Sequence, residues 1–471
     1  MKPPAEAMER LRRIVGPKGW STDESEMAPL LTDWRGNFDG RAKILLKPAT
    51  TDEVRRIVRC AAEYRMPVVP QGGNTGLVGG ATPDQSGDQI LLALTRLNKL
   101  RSIDPLNYSL TVEAGVTLAG AQQAAAAEDR LFPLSIGAEG TATIGGAVST
   151  NAGGVNVLRY GTMRDLVLGL EAVLPSGEVW NGLSSLRKDN TGYDFKQLLI
   201  GGEGTLGVVT AATVKLFPLP KQTATALVAV PNPNAAVRLL ALARAETADS
   251  VNSFELIPRI CIDLVKKHIP ALVDPLGKRH DWYVLIELTT PNAQEPLRKR
   301  LETLLERAVE DDLVLDGVIP ASGMQTANLW HIRHGISEAE KKEGVSIKHD
   351  VSVPVDRIAA FIAEATQACE AALPGVRVVA FGHVGDGNVH FNLSTPPDMT
   401  EAEFKARWAD MNHLVHDIVA KYAGSISAEH GIGVLKRAEL ARLKSPLSLG
   451  LMRKLKAAID PDNIMNPGKM L

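Results

Sequence analysis

The 471-residue chain has ten histidines, and two of them bracket a glycine-bearing turn in FGHVGDGNVHFN, Phe381 to Asn392. Val384 and Val389 flank the four residues Gly385, Asp386, Gly387 and Asn388, a common length for a hairpin connection. This reading sets His383 directly across from His390, where cross-strand Cβ atoms come within about 4.5–5.5 Å. Side chains alternate with period two, so Phe381 and Asn392 form the next pair on that face. Two imidazoles so placed suit Zn²⁺ or another divalent ion, which needs a third ligand and an open position for catalysis. SAEHGIG (Ser427–Gly433) supplies Glu429 beside His430. Neighbours on a regular strand point to opposite faces, so a site using both requires a loop or a helix start there. A lone histidine on a sheet is more often an ordinary polar residue. His413 and His416, three apart on an expected helix, keep that reading.

A second chemical stretch is ANLWHIRHGISEAEKKEGVSIKHDVSVP (Ala327–Pro354). Arg333 and Ser337 stand four apart and would share one helix face, and Lys348 follows in a short strand-like run. A guanidinium suits bidentate capture of a carboxylate, with a hydroxyl and an ammonium in support. The ordinary alternative for a single helical arginine is a solvated face.

Three glycine-dense segments need a different explanation. PVVPQGGNTGLVGGATP (Pro67–Pro83) is a short strand that runs into a glycine loop whose N–H groups could converge on an anion. It lacks the Gly-Lys-Ser/Thr of a P-loop and does not spell GxGxxG. SIGAEGTATIGGAVSTNAGGVNVLRYG (Ser135–Gly161) and NTGYDFKQLLIGGEGTLGVVTAATVKLFP (Asn190–Pro218) repeat the texture. Linkers do not keep re-entering strands; a long polar ligand with a central pyrophosphate accounts for all three.

The elements that position these residues are legible in outline. Val54, Ile57, Ala61 and Tyr64 recur at helical spacing within Thr51–Tyr64, and Ile90–Leu94, Ser109–Ala114 and Trp282–Leu288 read as strands. FPLPKQTATALVAVPNPN, with Pro218, Pro220, Pro231 and Pro233, is the best boundary candidate. Lys+Arg total 52 against Asp+Glu 54, so no global field recruits nucleic acid or an anionic membrane. No apolar run approaches the ~20 residues that span a bilayer. MKPPAEAMERLRRIVG carries Glu6 and Glu9 and has no apolar core, which argues against secretory or mitochondrial targeting. Cys60, Cys261 and Cys369 are single and widely spaced, so the expected location is the reducing cytoplasm.

Taken together, PQGGNTGLVGG, GTATIGGAVSTNAGG and IGGEGTLGVVT resemble the FAD-binding domain of vanillyl-alcohol oxidase-type (VAO/PCMH) flavoproteins. GHVGDGNVHFN, SAEHGIG and the NPGK tail resemble the FAD-linked D-2-hydroxyacid dehydrogenases of that fold, from about residue 40 to the end. The resemblance implies an α+β chain: an FAD-binding domain over 1–217, an α/β substrate-binding cap over 218–425, and a C-terminal helical segment over 426–471 packing back near the flavin. It implies that Pro70, Gly72, Gly73, Asn74, Thr75 and Gly76 cradle the pyrophosphate. Gly137, Thr141, Gly145, Asn151 and Gly154 would line the cofactor, with Val209 by its adenine or ribose end. His383, His390 and Glu429 would hold a divalent metal, Zn²⁺ above Mn²⁺ or Co²⁺, and His430 would be the base. LWHIRHGISEA and SIKHDVSVP resemble the D-2-hydroxyglutarate dehydrogenase subgroup, where Arg333, Ser337 and Lys348 would bind the distal carboxylate and Asn392 would also touch substrate. That subgroup often has Thr where this chain has Ser337.

The implied reaction passes an α-hydride from a D-2-hydroxy acid to flavin N5. The electrons then go to an acceptor such as an electron-transfer flavoprotein, a quinone or a cytochrome, and a homodimer is the expected assembly. D-lactate and D-malate dehydrogenases are the near alternatives. More distant ones are a zinc hydrolase, the alkyl-transferring branch of the fold and a flavin-binding electron-transfer subunit. Some relatives attach flavin through a histidine, but here no histidine precedes His268 and the first glycine loop has no cysteine. The flavin should therefore be non-covalent: acid precipitation should leave a colourless pellet and a yellow supernatant, and flavin retained in the washed pellet would refute this.

Overall fold

The computed structural model describes residues 5–269 and 272–471; the first four residues of the N-terminal stretch lie outside them. Contacts divide the chain into two units. One comprises the chain up to Gly153, Tyr160–Leu219 and Glu429–Leu471, and the other Gly154–Arg159 with Pro220–Ala428.

In the first unit, helix Thr51–Glu63 starts where Thr50 accepts the N–H of Glu53 and the Glu53 carboxylate accepts that of Ala49. Val54, Ile57, Val58 and Ala61 give it one buried stripe. Strands Ile44–Leu46, Ile90–Ala93 and Val68–Gln71 run parallel, and the apolar runs ILL and ILLA are buried throughout, as a sheet covered on both faces requires. A five-stranded antiparallel sheet follows, in the order Leu100–Asp104, Ser109–Glu113, Val208–Lys215, Val167–Val173, Val179–Gly182.

The three glycine segments emerge from these sheets and lie against one another. A Cβ on Gly73 would fall 1.8 Å from the Thr141 carbonyl oxygen, and one on Gly72 would fall 2.3 Å from Thr143 Oγ1, so no side chain fits at either place. The C-terminal segment closes over them. Ile464 and Asn466 bond to both backbone groups of Val68, covering the outer edge of its sheet. The Asn466 amide donates to the carbonyls of Gly80 (2.9 Å) and Glu203 (2.7 Å), and Lys469 donates to that of Thr82. Glu203, at φ +49 within IGGEGTLG, accepts the N–H groups of Ile432 and Gly433, each at 2.7 Å. Burial raises its pKa, and those two donors pull it back.

The second unit is built on a seven-stranded sheet, antiparallel throughout. Its order is Asp316–Val318, Gln222–Val230, Trp282–Thr290, Val251–Pro258, Arg377–His383, Asn388–Ser394, Ser346–Ser352. One face is apolar from edge to edge: Val228, Phe254, Ile286, Ala380 and Phe391 pack under helices Pro233–Glu246, Leu297–Glu310, Ile358–Ala372 and Trp408–Lys421. The other face is divided. Leu227, Ile257, Leu285 and Phe381 meet helices Arg259–His268 and Gly323–Glu343, and the strands beyond carry polar side chains. The C-terminal ends of both helices meet at Glu343, whose carboxylate takes Lys267 (2.7 Å), His268 (2.6 Å) and Arg377 (2.7 Å). Burial would raise that carboxyl, but its three partners outweigh burial and hold it at about 2.

Among the described residues no helix is long and apolar enough to cross a membrane.

Two outcomes follow from these buried acids. Glu203→Ala strands two backbone donors and should cost roughly 2–4 kcal/mol in urea unfolding of the first unit. It should also expose 431–433 to limited proteolysis, and unchanged values would remove Glu203 as the tie. Glu343 has a folded pKa depressed below its ordinary 4.5. Its contribution is therefore present above 4.5 and is lost as pH falls from there towards 2. After solvent screening the loss is on the order of 1–2 kcal/mol. Wild type should lose that much more stability than Glu343→Gln between pH 5 and pH 2.5, and parallel losses would refute the link.

Candidate active site

The hairpin pairs Phe381 with His390 and Val379 with Asn392, which corrects the expected register: His383 is not directly opposite His390. The turn still has four residues, 384–387, but starts one residue earlier than expected. Val384–Asp386 forms a 3₁₀ turn, Gly387 takes φ +88, and the Asp386 carboxylate accepts the Asn388 N–H at 3.0 Å. The slip is two residues, so every side chain keeps its face, which a one-residue slip would have reversed. His383 and His390 are therefore diagonal neighbours with ring centroids 5.5 Å apart, edge to face. Asp386 is buried enough to be held up at about 6, against the pull of His383.

The residue across from His383 is Glu255, on the adjoining strand Val251–Pro258. Its carboxylate is fully buried; one oxygen lies 2.7 Å from His383 Nδ1, and the other accepts Arg333 Nε at 2.8 Å and Nη2 at 2.7 Å. Burial alone would raise this acid. The charges of His383 and Arg333 reverse that and bring it to about 2, so it is ionised and can only accept. The shared hydrogen is therefore on His383 Nδ1, and Nε2 is the nitrogen a metal ion would take. Arg333 also lies 5.0 Å over the Phe381 ring.

A second buried acid organises the far strands. Glu340, about two turns beyond Arg333 on the same helix, accepts Lys348 Nζ at 3.0 Å and the Asn392 amide at 2.9 and 3.1 Å. Lys348 and Asn392 are themselves cross-strand partners, as are Asp350 and His390, whose Oδ1 and Nδ1 are 3.8 Å apart. The Asn388 amide holds Asp350 at 3.0 Å. Ser337 lies at the exposed rim of the helix face that buries Arg333. Arg333, Lys348, Asn392, His383 and His390 thus share one face of one sheet, with Ser337 at its edge.

Glu429 and His430 lie on the Ser427–Ile432 loop and group with the first unit. Ala428, the last residue of the second unit, donates its N–H to the Asp350 carbonyl at 3.2 Å. His416 is buried edge-on against His349.

Sequence reasoning missed Glu255, Glu340 and Glu287. Glu287 is raised by burial and partly restored by Trp330, Thr225 and Asn252. Glu255 had a usable signal, a lone charge in the apolar strand SFELI; Glu340, inside EAEKKEG, reads as a solvated run.

The first glycine loop fits a phosphate-bearing cofactor. Among the described residues the backbone N–H groups of Gly72, Gly73, Asn74, Thr75 and Gly76 donate to no protein acceptor, leaving consecutive donors for an anion. Asn74 holds φ +53, with its amide tied to the carbonyls of Pro29 and Thr32. Gly76 and Gly137 face open space, whereas a Cβ on Gly145 would strike Ala114 at 2.6 Å. Pro70 is in the strand feeding the loop, Thr141 is exposed beside Gly73, and Val209 is buried in strand Val208–Lys215. Asn151 ends helix Ile144–Thr150 at φ +52, its side-chain Oδ1 accepting the Arg164 backbone N–H; Gly154 groups with the second unit.

Comparison with known proteins agrees with this organisation. Residues 42–182 match the FAD binding domain, and residues 219–470 match the C-terminal domain of FAD linked oxidases. D-2-hydroxyglutarate dehydrogenase, mitochondrial, of Bos taurus is 39% identical, covering 98% of this chain and 82% of its own. Its Arabidopsis thaliana namesake is 37% identical, with 98% and 80% covered. A D-2-hydroxyglutarate–pyruvate transhydrogenase of Saccharomyces cerevisiae is 35% identical, with 95% and 90% covered. The solved p-cresol methylhydroxylase superposes with a TM-score of 0.76 at 18% identity, over 99% of this chain and 96% of that one, which establishes the VAO/PCMH-type fold. The relatives' mitochondrial names overturn the cytoplasmic expectation. Isolated cysteines report a redox environment and carry no address within the cell. The FAD-binding match likewise removes the ground for a zinc hydrolase. With both domain models matched in order and identities of 35–39% along nearly the whole length, the chain belongs to the FAD-linked oxidase family, in its D-2-hydroxyacid dehydrogenase branch.

Proposed function

We propose that this protein oxidises D-2-hydroxyglutarate to 2-oxoglutarate, using FAD and a divalent metal, Zn²⁺ foremost, and passes the electrons to an acceptor other than oxygen. The observation that carries the proposal is the single sheet face on which Arg333 and Lys348 stand with two histidines, each cation braced on a buried carboxylate. The names of the relatives supply the substrate class.

Bound FAD supplies a hydride acceptor at its N5. His383, His390 and Glu429 would hold the metal, whose chemistry is to acidify an α-hydroxyl and grip its neighbouring carboxylate. His430 takes the hydroxyl proton, the α-hydrogen leaves with its electron pair, and a carbonyl remains. Arg333 has Nη1 donors left after serving Glu255, and Lys348 has donors left after serving Glu340, so both can hold the distal carboxylate. Ser337 and Asn392 support it. Electron-transfer flavoprotein and quinone are the leading acceptors, and the yeast relative's name adds a 2-oxo acid.

One observation favours a second substrate. Because Arg333 and Lys348 already have internal carboxylate partners, a hydroxy acid without a distal carboxylate, such as D-lactate, leaves neither cation unpaired. Anaerobic mixing with D-2-hydroxyglutarate, L-2-hydroxyglutarate, D-lactate and D-malate, followed by flavin absorbance, separates the two. Bleaching by D-2-hydroxyglutarate at least tenfold faster than by the others is the expected result. Equal bleaching by D-lactate would return Arg333 and Lys348 to a structural role, and bleaching by the L-isomer alone would refute the stereochemistry.

A further inference from the structure

Glu255 touches the two groups that the proposed reaction uses at opposite ends of its substrate. One oxygen takes His383 Nδ1, and the other takes two donors of Arg333. It stands on a third strand, is completely buried, and has both carboxylate oxygens engaged. A group that only balanced charge could sit on either partner alone. This one spans both, and the Phe381 ring lies 5.0 Å from the guanidinium, over its face.

We infer that Glu255 is a positioning residue that registers both ends of the substrate from one point, aiming His383 Nε2 at the metal and the free edge of Arg333 at the distal carboxylate. The inference deepens the reading given under Proposed function and rests on it. Groups that orient metal-binding histidines matter for metal affinity, typically by ten- to a hundredfold. The unusual element is that the same carboxylate also orients a substrate-binding arginine, so one substitution should loosen metal and substrate together.

Gln and Asp separate the contributions. A glutamine at 255 has one acceptor oxygen, so it can satisfy His383 or Arg333, and its NH₂ then faces the other's N–H groups. An aspartate keeps two acceptors on a shorter arm. The FAD-loaded enzyme, freed of metal by a chelator, is titrated with ZnCl₂ by calorimetry as wild type, Glu255→Gln and Glu255→Asp. KM and kcat are then measured with D-2-hydroxyglutarate and with D-lactate.

Glu255→Gln should bind zinc about 10- to 100-fold more weakly. Its KM should rise at least fivefold more for D-2-hydroxyglutarate than for D-lactate, which has no distal carboxylate. Glu255→Asp should recover part of both losses, with FAD content at the wild-type level in all three proteins. Unchanged zinc affinity or an equal KM change for the two substrates in Glu255→Gln overturns the inference, as does a loss that follows lost FAD or an early melt in both variants. Wild type that takes up no zinc overturns the underlying metal reading and this inference with it. Zinc uptake by wild type with no change in Glu255→Gln overturns the inference alone.

Discussion

A carboxylate removed from water must be matched at short range, or its burial costs more than the surrounding packing can return. Glu255 meets that demand with His383 and Arg333, and much of the second unit follows from it. The demand fixes strand Arg377–His383 against strand Val251–Pro258 with His383 opposite Glu255. It also requires helix Gly323–Glu343 to lie across these strands with Arg333 facing inwards, although that position would otherwise suit a leucine. The result is a sheet with one wholly apolar face and one whose apolar half gives way to charge.

The same device recurs. Glu340 gathers Lys348 and Asn392, Glu287 gathers Trp330, Thr225 and Asn252, and in the first unit Glu203 gathers the N–H groups of Ile432 and Gly433. Each acid joins segments far apart in sequence. The ion pairs among these, at Glu255 and Glu340, are poor sources of net stability, because desolvation consumes most of the Coulombic gain. The value of all four is geometric: when one partner shifts, a buried charge or polar group is left uncompensated, so alternative registers and helix positions are penalised. A polar face held this way is pre-arranged for a charged ligand, since its donors are already oriented.

How far the sequence could be read depended on whether the signal was local. The buried stripe of helix Thr51–Glu63 and the strands Ile90–Ala93 and Ser109–Glu113 follow from periodicity and apolar runs, and all are present within a residue or so. The hairpin register was legible to its face but not to its pairing, because period two survives a two-residue slip while the conformation of Val384–Gly387 is set by Asp386 and Gly387 together. Arg333 could be read as a candidate carboxylate binder, but its partner Glu255 lies 78 residues away and no spacing rule links them. The location failed for a different reason: cysteine spacing and a short N-terminal stretch describe chemistry, and the relatives' names speak of an organelle.

What the sequence by itself determined is the set of chemical parts: glycine loops without side chains, two histidines on one hairpin face, an adjacent Glu-His and a basic helix-strand pair. Those are properties of residue type and short spacing, which a linear reading preserves. Tertiary structure alone decided which acids accompany them. The choice of Glu255, Glu340 and Glu203 depends on strand order, on helices crossing particular strands and on a tail that returns to the edge of the first sheet. Burial turns an ordinary glutamate into a fixed electrostatic partner, and burial belongs to the folded chain.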